Sequence, residues 1–154
     1  MARRELAFST IDEMIADVES LLARGYRREG NWTLAQVCDH LAIFFRGPVE
    51  GYPSGKIPWY VRLLAPLILR RILKTGKLAE GVRVPESLLP GEPGDDAEAV
   101  RNLIEAAKRY RDHQGKLHAN PVFGNLDRAT SDRLQLIHAA HHLSFLIPEE
   151  GDAA

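Results

Sequence analysis

The chain has 154 residues, of which 45% are hydrophobic and 27% charged, and its formal net charge is -1. This length suits one domain with a sizeable core, and the charge balance excludes a strongly basic nucleic-acid binder and a disordered polar chain. Cys38 is the only cysteine, so an intrachain disulfide and a thiolate-built zinc site are excluded and a reducing cytoplasm is the expected compartment.

The opening segment, MARRELAFSTIDE, meets Glu5, Asp12 and Glu13 before any apolar run develops, so no secretion signal is expected. Thr10-Ile11-Asp12-Glu13 forms a capping box, and Ile11, Met14, Ile15, Val18, Leu21 and Leu22 recur at helical spacing up to Gly25. These residues predict a first helix. Thr33-Leu34-Ala35-Gln36 repeats the capping pattern, and Leu34, Val37, Cys38, Leu41 and Phe45 form the stripe of a second helix. It carries His40 and is expected to break at Gly47-Pro48, with a loop from Gly47 to Pro58.

Trp59 to Lys74 reads as helical with an interruption at Pro66. Arg62, Arg70 and Arg71 interrupt the most apolar stretch, which excludes a membrane span needing about 20 mostly apolar residues. The favoured reading is a bundle helix with a solvated basic flank. The rival reading takes Arg62, Arg70, Arg71 and Lys74, beside Leu and Ile, as the mark of a membrane-surface or partner-binding helix. Thr75 to Gly94 is rich in Pro and Gly and predicts a long connection, conceivable as a lid over a site.

Asp95 or Asp96 is expected to cap the next helix, in which Val100, Leu103, Ile104, Ala107 and Tyr110 recur until about His113. After a turn-rich segment, Thr130 or Ser131 is expected to cap a last helix that runs to about Leu146 and stops before Pro148. No strand-like alternation is found. The expected fold class is therefore all-α, a four-helix-type bundle with long connecting loops, forming one domain over residues 1–154 with its ordered core about 8–148.

The last helix is apolar on nearly every side, the pattern of a buried helix, yet it holds His138, His141 and His142. His138 and His142, four apart, project from adjacent turns of one face, with His141 on the flank. Two imidazoles so placed on a rigid element can share a divalent metal ion. A lone buried histidine more often packs or bonds to backbone, but three within five residues weigh against that, because unpartnered buried imidazoles are costly. His40 lies on the edge of its stripe beside Val37 and Phe44. Spacing alone does not pair it with the last helix.

The early segment Asn31-Trp32-Thr33-Leu34 with Asp39-His40-Leu41, and the late His138-x-x-His141-His142, resemble the DinB-like, or YfiT-like, metalloenzyme superfamily of four-helix bundles. The likeness runs from Phe8 to Pro148. Phe8-Ser9-Thr10, Gly30-Asn31-Trp32, Pro121-x-Phe123-Gly124 and the HHLSFL run look like an uncharacterised branch of it. The resemblance implies a metal held by His40, His138 and His142. Leu143, Ser144 and Phe145 stand where many relatives carry a basic or polar residue and a glutamine, which implies a pocket chemistry of its own. Asn120 precedes Pro121 where that branch carries a histidine, so His118 receives no role.

Three histidines leave a coordination position open, and a zinc, nickel or iron ion there lowers the pKa of water or a thiol. Ala139 occupies the place of the glutamate in a zinc-peptidase HExxH motif, which disfavours a peptidase. Some relatives resemble metal-dependent thiol transferases. The expectation is a metal-dependent transferase or hydrolase acting on a small molecule, with a low-molecular-weight thiol as candidate partner. The alternative is a non-catalytic metal-binding, stress or interaction protein that keeps the bundle. His141 is a candidate to support the ligands or act as acid or base, weighed against plain packing. Asp39 points about 100° away from His40, toward a surface role. Cys38, Trp32 and Trp59 are expected in the core, and Ser144 is assigned no nucleophilic role. A homodimer is compatible with a bundle of this kind, although periodicity does not reveal it.

Overall fold

In the computed structural model, which describes residues 3–79 and 84–150, side-chain caps start four of the five helices. Thr10 caps α1 (Ile11–Arg24) and Thr33 caps α2 (Leu34–Glu50) with a reciprocal bond from its backbone N–H to Gln36. Asp95 caps α4 (Asp96–Asp112) and Asp127 caps α5 (Arg128–Leu143). Each cap satisfies a backbone N–H that the first helical turn leaves without a partner. Only α3 (Trp59–Thr75) begins without one, after Pro58.

The apolar stripes of α1, α2, α4 and α5 close on one core that includes Met14, Leu34, Phe45, Leu103, Tyr110 and Leu143. Asp96 ties two of these helices end to end: its carboxylate accepts from the Ala35 N–H (2.8 Å) and from the Tyr26 hydroxyl (3.0 Å). The result is a bundle of four helices, with α3 as a fifth outside that core.

Several expectations need correction. Helix α2 does not stop at Gly47-Pro48; it runs through Pro48 to Glu50. A proline removes the bond that its N–H would give to the carbonyl four residues earlier, here Phe44, and the Gln135 amide takes up that carbonyl at 2.6 Å. Pro66 likewise sits inside α3 without ending it; the carbonyl it leaves without a helical partner is that of Arg62, an exposed residue. The cap of α5 is Asp127 rather than Thr130 or Ser131, because the Asp127 carboxylate accepts from the Thr130 N–H at 2.7 Å. That helix ends at Leu143, and it is half-buried along much of its length rather than enclosed, with Ser131, Gln135, Ala139, Ala140 and Leu143 as its buried positions.

Beyond α5 the chain turns extended. Strand β2 (Leu146–Pro148) pairs antiparallel with β1 (Tyr26–Arg28), Arg27 opposite Ile147. Each strand is three residues long, too short to show alternation, so the sequence pattern missed both. Helix α3 departs from its favoured reading as well. Only Ala65 and Ile72 are buried on it, while Trp59 is 74% and Leu63 69% exposed. Of the Thr75–Gly94 connection, residues 80–83 lie outside the described residues; the rest includes a short 3-10 turn at Glu86–Leu88 that buries Leu88. No helix among the described residues is long and apolar enough to cross a membrane.

Candidate metal centre

His40 enters the bundle from the middle of α2 and is 2% exposed. Across from it, His138 and His142 stand one turn apart on α5. The Nε2 atom of His138 lies 3.1 Å from Nε2 of His40 and 3.1 Å from Nε2 of His142. One ligand nitrogen from each of the three falls within 4.8 Å of the others. The structure thus brings together the histidine pair that the spacing suggested and the third histidine that only the resemblance supplied.

Protonation follows from the neighbours. Nδ1 of His40 is 2.7 Å from the carbonyl oxygen of Leu88, and a carbonyl only accepts, so Nδ1 carries the proton and Nε2 presents a lone pair to the cluster. Burial pushes His40 down to about 4, against the raising effect of the Leu88 bond. Burial likewise pushes His142 down to about 2, with His40 and His141 adding repulsion. His138 is held well below the usual histidine range by burial first and then by His142, His40 and His141. All three rings are neutral at pH 7, the form that ligates metal.

Hydrogen bonds alone do not satisfy this arrangement. If Nε2 of His138 donates to His40, it has no lone pair left for His142; if it accepts from His142, it faces the His40 lone pair at 3.1 Å. A cation at the convergence point relieves both. For bonds of about 2.0–2.1 Å, a separation near 3.1 Å corresponds to ligand angles of roughly 100°, between octahedral and tetrahedral values. The residues present fit a divalent metal.

Aromatic rings brace the cluster. Trp32 stacks on His142 with centroids 5.2 Å apart and planes 21° apart, and Phe44 packs against His138 at 4.4 Å. Trp32 thus packs against the core, as expected, and is also a wall of this site, whereas Trp59 is exposed rather than buried. His141 stays outside the convergence: its ring packs on His142 and Phe145, at 4.9 Å and 5.5 Å, and its Nδ1 lies 3.5 Å from an Arg3 guanidinium nitrogen. Cys38 is fully buried, and burial, then Asp39 and Asp96, push its thiol up, as suits an inert core residue. Asp39 is half-buried, which raises its carboxyl, and it does not line the cavity beside the histidines.

That cavity holds about 740 Å³. Phe44, Val61, Ile72, Leu88, Leu117 and Phe123 make much of its wall, and no Asp or Glu is among its lining residues within the described part of the chain. Tyr52 faces it with a phenol that burial pushes up to about 12, bonded to Asn120, so it remains a neutral donor. Asn120 is fixed in turn, its side-chain oxygen accepting from the N–H groups of Val122 and Phe123. The sequence reading missed Leu88, Tyr52 and Gln135. Trp32 could have been found, since it stands inside the Asn-Trp-Thr-Leu segment that carried the resemblance. A backbone carbonyl such as that of Leu88 has no residue signature.

Fold and site together define a helical bundle with a three-histidine cluster, His40 buried and His138 and His142 half-buried, opening on an apolar cavity. Residues 1–149 match the family described as "Protein of unknown function (DUF1569)", and the chain belongs to that family. No curated protein and no solved structure matches it.

Proposed function

We propose that this protein is a metal-dependent enzyme of the DinB-like kind, in which His40, His138 and His142 hold one zinc, nickel or iron ion and a small-molecule thiol is transferred to an electrophile. The observation that supports this reading is the convergence of three neutral imidazole nitrogens, one with its proton fixed away from the cluster by Leu88. A divalent ion held there supplies Lewis acidity at an open position, which lowers the pKa of a thiol or a water.

Thiol transfer is favoured over hydrolysis by how little activation a thiol needs at such an ion. A free thiol has a pKa of about 8.5 and needs little help to ionise, whereas a water starts at about 15.7 and needs far more activation by the metal and a nearby base. Among the described residues the lining outside the cluster offers Arg71, Lys77, His118 and His141 and no carboxylate. In the transfer, a sulfur lone pair forms the new S–C bond, the bond from carbon to the leaving group breaks with its electrons on that group, and the thiol proton passes to it or to solvent. The apolar walls hold the body of the substrate and exclude water, and Tyr52 offers its O–H to a polar group on it.

The test begins with metal content by mass spectrometry of the untagged protein, beside a His138→Ala, His142→Ala double variant. Near-stoichiometric metal that the variant loses, with metal-dependent consumption of low-molecular-weight thiols by an alkyl halide, supports the proposal. Metal with ester hydrolysis but no thiol consumption replaces the reaction with a hydrolytic one. Substoichiometric metal in both proteins after soaking with zinc, nickel and iron overturns the enzyme reading and leaves a bundle with packed histidines.

A further inference from the structure

Helix α3 turns its apolar side outward. Taking about 100° per residue, Trp59, Tyr60, Leu63, Leu64 and Leu67 fall on one arc, opposite the buried Ala65 and Ile72. Continuing along the same arc, the C-terminal half presents Arg70, Arg71 and Lys74. The exposed face is therefore segregated lengthwise, aromatic and aliphatic first and cationic after. Trp59 is 74%, Leu63 69% and Leu67 65% exposed, a continuous apolar patch of a kind that soluble monomers rarely leave uncovered.

Charge distinguishes among occupants. From Gly51 to Ala79 there is no Asp or Glu, while Lys56, Arg62, Arg70, Arg71, Lys74 and Lys77 all carry positive charge, in a chain whose net charge is -1. Among the described residues none of the four α3 cations forms an ion pair. A second copy paired through α3 offers these cations no anionic partner, since α3 carries no Asp or Glu. An antiparallel two-fold pairing of α3 centred on Leu67 sets Arg70 against Leu64 and Lys74 against Tyr60, and a parallel pairing sets cation against cation. An anionic bilayer answers both halves: headgroup phosphates meet the cations, and the interface accepts Trp, Tyr and Leu side chains.

We propose that α3 docks this protein on anionic phospholipid surfaces, with Trp59, Tyr60, Leu63 and Leu67 entering the headgroup boundary and Arg70, Arg71 and Lys74 engaging phosphates. Arg71 also lines the cavity beside the histidines, so the test rests on Arg70 and Lys74, and the inference requires no reaction at that site. Sedimentation of the full chain with phosphatidylcholine vesicles, with and without phosphatidylglycerol, tests it. Binding to the anionic vesicles is expected, weakening at high salt and accompanied by a blue shift of Trp59 emission that a Trp59→Phe variant lacks. Each interfacial cation is worth about five-fold in partitioning, so Arg70→Gln with Lys74→Gln is expected to weaken binding on the order of ten-fold or more. Leu63→Ser with Leu67→Ser acts on the apolar half. All these positions are exposed, so circular dichroism is expected to remain that of the wild type. Equal pelleting with neutral and anionic vesicles, or none, overturns the proposal. A dimer in analytical ultracentrifugation that Leu63→Ser with Leu67→Ser dissolves also overturns it and assigns the face to a second copy.

Discussion

The carbonyl of Leu88 accepts from Nδ1 of His40 at 2.7 Å, across 48 residues of chain. That contact fixes which nitrogen of His40 faces the cluster, and it joins the long connection before α4 to the site. Partners that orient a ligating imidazole commonly matter about 10–100-fold in metal affinity. Leu88 is 1% exposed, so Leu88→Ala opens a cavity, at a cost of roughly 2–5 kcal/mol, and loosens the carbonyl. Leu88→Ala is expected to weaken metal binding by about ten-fold or more, read by competition with a chelating dye. Unchanged affinity in a folded variant would show that the bond is incidental.

Metal is expected to stabilise the fold. A ligand at about a hundred times its Kd adds roughly 2.7 kcal/mol, and a domain of this size gains about 2–4 °C in Tm per kcal/mol. Zinc or nickel in excess should therefore raise Tm by roughly 5–10 °C in the wild type and leave His138→Ala unmoved. A rise of equal size in the variant would place the ion elsewhere.

The depressed histidines make the metal-free protein sensitive to acid. Unfolded histidine titrates near 6.5, whereas burial holds His40 at about 4 and His142 at about 2, with His138 also well below its usual range. Between those values the unfolded chain binds more protons than the folded one, so stability rises with pH. The contribution is complete above about pH 6.5 and is lost as pH falls from there toward and through the folded values. Each proton accounts for about 1.4 kcal/mol per pH unit in that window. Urea melts with chelator from pH 7 to 4 are expected to show this slope, shallower in His138→Gln, and equal slopes in the two proteins would refute the assignment.

Gln135 and Pro48 should be coupled. The Gln135 amide donates to the Phe44 carbonyl that Pro48 leaves without its helical partner. Gln135→Ala is expected to cost about 1–3 kcal/mol as that carbonyl loses its bond. In a Pro48→Ala background the missing N–H returns, and the penalty should shrink. Additive effects in this double-mutant cycle would remove the coupling.

Much of the bundle was legible along the chain. Thr10 and Thr33 announce their helices because a cap and its acceptor lie within three residues, and the stripes of α1, α2 and α4 follow from side chains every third or fourth position. Pro48 misled, since its local rule ends a helix and only Gln135, 91 residues from Phe44, offsets it. Trp59 misled for the opposite reason: a large aromatic usually seeks the core, and nothing next to it in sequence shows that α3 lies outside the core.

The sequence by itself determined the helix starts, the helical stripes and the His138–His142 pair, because each depends on residues within one or two turns of one another. Tertiary structure decided the rest: β1 against β2, the outward face of α3, and the meeting of His40 with His138 across 98 residues. The physical reason is one of range. Caps and periodicity act through backbone geometry over a few residues, whereas a metal-sized convergence of three nitrogens depends on how α2 and α5 pack about a shared core.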